Sequence, residues 1–379
     1  MGADLESVGR GLAARLGAQK VWAGTPSPYG PAVSGGAAVA QRAAVVVRCA
    51  DAEDVRAAVR AARDAGVRFS VRGGGYEREP QEGVLTLDLA AMGHVEVDTA
   101  ARVAAVGGGA TAGELTAAAH RHGLAAAAGT SAGAGVAGIV LHGGPGPLTG
   151  RIGLAADNLL AARVVLADGH LVTTDETREP GLLRALRGGG GGLGVVVSMR
   201  VRLHRLPYLS AGAIVFAWSD AAAVLAGLDG FSAPELTVTA GVLPGPGGAP
   251  VLLLVPAWSG APGAGEVQVA ALRRLGSPLT AHVGPLAPPD LLALFDAHRP
   301  AGAHRVVLTR PLASVAAATP MLLAAGRTLP SPLAAVFLHP VHGAAHPRHH
   351  LAEITAAWPS GLDGAGSAEL TWAHRTAAL

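Results

Sequence analysis

A series of glycine clusters along the first half of the chain constrains its fold more than any other feature. They fall at residues 73–75, 107–109, 129–138, 143–146 and 188–194, in a chain of 379 residues that holds 54 glycines. Such clusters weaken helix and strand interiors, so they belong in turns. At the end of a strand, a glycine turn leaves backbone N–H groups unshielded and able to form an anion-binding nest. The segments between the clusters supply the strands and helices. Residues 43–48 are a short β-branched run that predicts a strand. Asp51 stands as a helix N-cap ahead of Glu53 and Asp54, and Val55, Val59, Ala62 and Ala65 recur at helical spacing up to Gly66. Residues 67–71 predict a second strand, so a βαβ unit delivers the chain to Arg72-Gly73-Gly74-Gly75. Further strands are predicted at 84–89, 94–98, 102–106 and 162–169. A helix opens at Thr111 with Glu114 completing a capping box, and it ends at His122 and Gly123.

Length and composition exclude several classes. A chain of 379 residues is long enough for two domains with proper cores, and half of its residues are hydrophobic while 15% are charged. The net charge is only +2, the arginines are dispersed and Lys20 is the sole lysine, so nucleic acid is not an expected partner. The single cysteine, Cys49, cannot form an intrachain disulfide and reads as a buried strand thiol rather than a nucleophile. Asp4, Glu6, Arg10, Arg15 and Lys20 deny the N-terminus the apolar core of a signal peptide, so a cytoplasmic location is expected. Residues 123–150 lack Asp, Glu, Lys and Arg, yet their glycines with Pro145 and Pro147 argue against a membrane-spanning helix.

The order and spacing of Arg72-Gly73-Gly74-Gly75, the 129–138 run, Leu141–Gly146 and the 153–159 segment resemble the flavin domain of the vanillyl-alcohol oxidase superfamily. The likeness is to its berberine-bridge-enzyme-like branch, with a PCMH-type FAD-binding fold. It is close over residues 41–206 and weaker from Tyr208 onward, through predicted strands at 212–218, 236–242 and 251–255 and through Trp358 and Trp372. The resemblance implies an α+β fold of two domains. Residues 1–206 would form the FAD-binding-type domain from two α+β subdomains, and residues 207–379 a substrate domain whose antiparallel sheet roofs the flavin ring.

Departures from the family pattern set the functional expectation. Tyr76 and Glu77 stand where the family has a flavin-linked His and a Ser, and Ser131 stands where it has a linking Cys, so neither covalent attachment is possible. Glu77, Glu79 and Glu82 follow Gly75, together with Pro80, which has no N–H to donate. A carboxylate about 6 Å from a phosphate charge costs roughly 3 kcal/mol at an effective dielectric of 20, which Arg78 offsets in part. His142 adds bulk to a turn that the family keeps bare, and the family's closing Tyr/Asn segment is not found between Trp372 and Leu379. Together these features lead to the expectation that no cofactor is bound. The chain then reads as a cofactor-independent cyclase or isomerase, closing a ring by a cycloaddition-type reaction on a bulky, apolar, polyketide-like natural product. The alternatives are an FAD-dependent oxidoreductase with non-covalent flavin and a non-catalytic small-molecule binding protein.

Candidate residues follow by transfer from the family motifs. Tyr76 and His142 are the catalytic candidates. Ser131, Trp218, Thr239, Arg305, Thr309, His339 and His342 are the substrate-binding candidates, of which strand alternation turns only every second one inward. Arg72, Gly73, Gly74, Gly75, Tyr76, Gly143 and Gly144 are the vestigial flavin contacts. The His346–His350 run reads as a surface turn and not as a metal site, because adjacent histidines diverge and no carboxylate is suitably spaced. The oligomeric state is not indicated.

Overall fold

The computed structural model describes residues 5–23, 45–74, 83–298, 303–343, 346–359 and 366–379. The chain divides into two compact units, residues 1–144 with 155–204, and residues 145–154 with 205–379. The segment 145–154 thus belongs to the second unit although residues of the first flank it on both sides.

The first unit begins with helix α1 (Leu5–Leu16) and a sheet of β1 (Val21–Ala23), β2 (Val45–Arg48), β3 (Phe69–Arg72) and β4 (Leu85–Asp88), ordered β1-β2-β4-β3. Helix α2 (Ala52–Ala65) joins β2 to β3. The Asp51 carboxylate accepts from the N–H groups of Glu53 and Asp54 at its start, and Gly66 closes it in the left-handed region. The strands of the expected βαβ unit are not neighbours, because β4 lies between them and is parallel to both. Thr86 and Asp88 of β4 are buried, which a central strand tolerates when its polar groups are satisfied. The Thr86 hydroxyl lies 3.3 Å from that of Ser70, and the Asp88 carboxylate accepts from the Ala90 N–H and stands 3.5 Å from Arg72. Between α2 and the sheet, Val47, Val55, Val59, Leu85 and Leu87 form a core that also takes in Cys49. Burial pushes the Cys49 thiol up to about 12, helped by the nearby Asp54 and Asp88.

A second sheet of the same unit comprises β5 (Val95–Asp98), β6 (Val103–Gly107), β7 (Leu124–Ala126), β8 (Leu159–Val165), β9 (Leu171–Thr174) and β10 (Val195–Arg205). Its order is β5-β6-β10-β8-β9, with β7 also on β10. Helix α3 (Ala112–His120) carries the Thr111 and Glu114 capping box, and α4 (Val136–Leu141) follows the 129–135 glycine segment. After α5 (Thr149–Ile152), which belongs to the second unit, α6 (Pro180–Leu186) completes the helices packed on this sheet.

The second unit is built on seven strands: β11 (Ser210–Ala217), β12 (Leu236–Pro244), β13 (Pro250–Trp258), β14 (Pro278–Pro285), β15 (Ala303–Leu312), β16 (Ala335–Gly343) and β17 (His346–Pro359). They pair antiparallel in the order β14-β11-β13-β12-β16-β17-β15. Helices α7 (Ala221–Leu228), α8 (Pro262–Arg273), α9 (Pro288–Asp296), α10 (Val315–Arg327) and α11 (Ser367–Ala378) accompany the sheet. Even-numbered strand residues such as Phe216, Ala240, Leu254, Val336 and Ile354 share one core with Val224, Leu322 and Trp372 of the helices. The pleat therefore turns the odd-numbered residues to the opposite face, where α5 packs on β12 and β16. Among the described residues, no helix is long and apolar enough to cross a membrane.

Candidate functional site

In the first unit, strand β3 ends at Arg72 and hands the chain to Gly73 and Gly74, which meet the other glycine turns backbone to backbone. A Cβ on Gly74 would drive into the Gly133 carbonyl oxygen and come within 2.6 Å of the Gly135 nitrogen. The turn after β6 is tied to the same segment. The N–H groups of Ala112 and Gly113 donate to the carbonyls of Ala134 and Ala132, and the Val136 N–H donates to that of Ala110. Farther along, α4 ends in the turn at Gly143, whose φ of 93° lies in the region that favours glycine. A Cβ built there would meet nothing within 4 Å. Loops at 73–74, 107–113 and 132–136 thus form one backbone assembly almost without side chains, and the 142–144 turn, with Gly143 buried, follows it in the chain. The N–H groups of residues 107–110, 112, 113 and 136 are spent on protein carbonyls, so a ligand phosphate would be met by the remaining glycine-turn backbone, where the lack of side chains leaves peptide groups accessible.

The sequence candidates of this unit take different roles within it. Arg72 pairs with Asp88 beneath the first loop, with its side chain 15% exposed. Ser131 is buried, and its carbonyl accepts from the Ala134 N–H. His142 is exposed and caps α4. Its Nδ1–H donates to the Gly138 carbonyl at 2.9 Å, which leaves Nε2 as the acceptor of the neutral ring. Gly144, with φ of 67°, lies close against Ile139 and Ala155. Gly75 and Tyr76, with the acidic stretch through Glu82, lie outside the described residues.

In the second unit, the odd-numbered face of the sheet is apolar apart from a small polar row. Leu253, Val255 and Phe337 are buried on it, and so are Thr239 and His339. His339 Nε2 stands 3.3 Å from Glu353 Oε2, within ion-pair reach although not aligned as a hydrogen bond. Phe337 stacks on the His339 ring and pairs in register with Glu353. On the other side of Glu353, its register partner on β15 is the exposed Thr309, and the half-buried Arg305 of the same strand lies opposite Ala357. The sheet therefore brings Thr239, His339, Arg305 and Thr309 to one face.

Two other candidates do not join that row. The predicted strand at 212–218 ends at Ala217, and Trp218 begins a short 3₁₀ turn against the helix-side core, over Gly326 of α10. His342, at the end of β16, uses Nε2–H to donate to the Gly150 carbonyl at 3.2 Å and so anchors α5. The His346–His350 run is not a surface turn. It opens β17 and pairs with β16, because cross-strand hydrogen bonding organises these residues where local composition suggests a loop. Glu353 was missed by motif reasoning. It is the sole carboxylate in the seven strands of this sheet, flanked by Ala352 and Ile354 in an alternating run, and that isolation was readable in the sequence.

Residues 43–175 match the family described as FAD binding domain. Over 192 residues the chain is 40% identical to (R)-6-hydroxynicotine oxidase of Paenarthrobacter nicotinovorans, a stretch covering 50% of this chain and 42% of that protein. It is 37% identical over 169 residues to an FAD-dependent monooxygenase of Fusarium proliferatum, covering 44% of this chain and 33% of the relative. The chain thus spans less than half the length of these curated relatives. The solved 6-hydroxy-D-nicotine oxidase of Arthrobacter nicotinovorans superimposes with a TM-score of 0.83 at 27% identity, over 94% of this chain and 84% of that one. The BBE-like 1 protein of Physcomitrella patens superimposes with a TM-score of 0.79 over 96% and 87%, and at 20% identity this is a likeness of fold.

These findings overturn the expectation that no cofactor is bound, because the matched segment and its relatives point to FAD. The physical reason lies in how the cradle is made. Backbone from several separated turns composes it, so acidic side chains in one loop do not dismantle it. Charges exposed to water are moreover screened well below the value that a fixed 6 Å separation implies.

Proposed function

We propose that this chain, whose residues 43–175 match the FAD binding domain family, is an FAD-dependent oxidoreductase acting on an apolar small molecule, with its flavin held non-covalently. The observation that carries the reading is the close approach of Gly73 and Gly74 to the 133–135 backbone, where no side chain fits. Gly73, Gly74, Ser131, Gly143 and Gly144 are the described residues assigned to the cofactor. Non-covalent binding is supported by Ser131 at the position of the family's linking cysteine and Tyr76 at that of its linking histidine. Bound FAD supplies a two-electron acceptor.

The chain's own acid–base chemistry is assigned to the second unit. Oxidising an alcohol carbon requires a base for the hydroxyl proton, and Glu353 is a carboxylate with a side chain only 18% exposed. His339 Nε2 lies 3.3 Å from Glu353 Oε2 and restricts the orientation of the carboxylate. Leu253, Val255 and Phe337 present an apolar surface that excludes water and suits a substrate with a single hydroxyl handle.

Purified protein incubated with FAD and desalted should keep the yellow flavin band, and acid precipitation should release all of it into the supernatant. Colourless protein after desalting would refute the cofactor assignment, and flavin that stays with the precipitate would refute the non-covalent one. Glu353→Gln should slow substrate-dependent bleaching of the flavin by about 10²–10⁴-fold at unchanged flavin content. An unaltered rate would remove Glu353 from the chemistry.

A further inference from the structure

A cavity of about 110 Å³ lies on the helix-packed side of the second unit's sheet, opposite the face that holds His339 and Glu353. Val238, Leu338 and Pro340 line it from β12 and β16, Phe231 from the loop after α7, and Arg348 and His350 from the start of β17. Two properties make it more than a packing gap. His350 Nδ1 is buried with no hydrogen-bond partner among the described residues, a costly state for a polar atom unless something else meets it. Arg348 is exposed at the opening and carries a permanent charge.

The electrostatics favour a carboxylate over a cation. Burial holds the His350 imidazole below its usual range, so at neutral pH the ring acts as a hydrogen-bonding group. The acid nearest in effect is Asp229, and its two oxygens accept the N–H groups of Val315 and Ala316 at the start of α10. Size limits the rest of the ligand. An engineered cavity of about 150 Å³ admits benzene, so one ring is the largest body that this smaller, open site takes.

We propose that this cavity binds a small aromatic carboxylate, with its ring against Phe231, Val238, Leu338 and Pro340 and its carboxylate between His350 Nδ1 and Arg348. None of the residues lining it is assigned to the flavin or to the His339–Glu353 row, so the proposal stands whether or not the oxidoreductase reading holds. Benzoate is the probe, titrated calorimetrically into the full chain with FAD present, and acetate and benzyl alcohol separate the charge from the ring. Benzoate should bind saturably at one site with Kd on the order of 1 mM or tighter, and the two partial probes at least about tenfold more weakly. Ala233→Phe, which fills the cavity from its loop side, should abolish binding, and Arg348→Gln should weaken it about tenfold by removing a charge-assisted contact. Glu353→Gln should leave benzoate affinity as it was, which excludes binding at the proposed reaction site. Circular dichroism of each variant checks the fold, and Arg348→Gln at an exposed position carries the test should Ala233→Phe not fold. The proposal fails if benzoate gives no saturable heat, if benzyl alcohol binds as tightly, or if Arg348→Gln binds benzoate like the parent protein.

Discussion

Replacing Gly74 by alanine adds one methyl group at the point where the glycine turns meet. The new Cβ faces the Gly133 carbonyl oxygen, the Ala134 carbonyl carbon at 2.9 Å and the Gly135 nitrogen at 2.6 Å. All three are backbone atoms, so no side chain can swing aside and the loops themselves must part. Forcing a methyl group into packed surroundings costs about 1–3 kcal/mol, and an all-backbone contact belongs at the upper end, about 3 kcal/mol. In a unit of about 190 residues, each kcal/mol moves the melting temperature by about 2–4 °C, so the shift should be about 6–12 °C. The same displacement opens the cradle, so FAD retained after desalting should fall together with the melting temperature. Gly138→Ala is the control. It adds the same methyl at an exposed position of helix α4, where a Cβ meets nothing within 4 Å, and helix propensity then favours alanine by about 1 kcal/mol. Thermal unfolding of the apo and FAD-loaded forms, read beside the flavin absorbance of desalted protein, provides both quantities. Should Gly74→Ala keep its flavin and melt within about 2 °C of the parent protein, the backbone contact is not what builds the cradle.

Two further outcomes follow from the first unit. Cys49 should resist a thiol-reactive chromophore at pH 8 in the folded protein and react fully in denaturant, because a thiol pushed up to about 12 leaves about one thiolate in ten thousand. The same shift sets a pH dependence: the stability it contributes is complete below the unfolded thiol value near 9 and is lost as pH rises toward 12, so melting temperatures measured up that range should fall and those of Cys49→Ala should fall less. His142→Ala should cost about 0.5–1 kcal/mol through the lost cap on Gly138 and leave flavin reduction within about twofold, whereas a drop of about 100-fold would place Nε2 in the chemistry.

The parts of the fold legible in the sequence are those whose physics closes within a few residues. Asp51 and Gly66 delimit α2, and Thr111 with Glu114 starts α3, because a cap is satisfied by N–H and C=O groups one turn away. Glycine turns are equally local, since the torsion they permit belongs to the residue itself. The motif order therefore carried the FAD-binding match over residues 43–175, while the inference from the acidic loop to a lost cofactor failed. That inference weighed a single loop, and the cradle is shared among several.

The remainder was decided by pairing over long range. Nothing local places β4 between β2 and β3, or residues 145–154 with the second unit. The candidate row divides in the same way. Thr239, His339 and Thr309 could be named from their strands, but which of them would meet Glu353 depends on the register of β15, β16 and β17. A slip of one residue would turn Glu353 into the helix-side core and bring Ile354 to the other face. The sequence by itself determined the caps, the glycine turns and the alternation of each strand. Only the tertiary structure decided which alternating faces are joined, because register is selected by burying whole faces at once and no single strand contains that information.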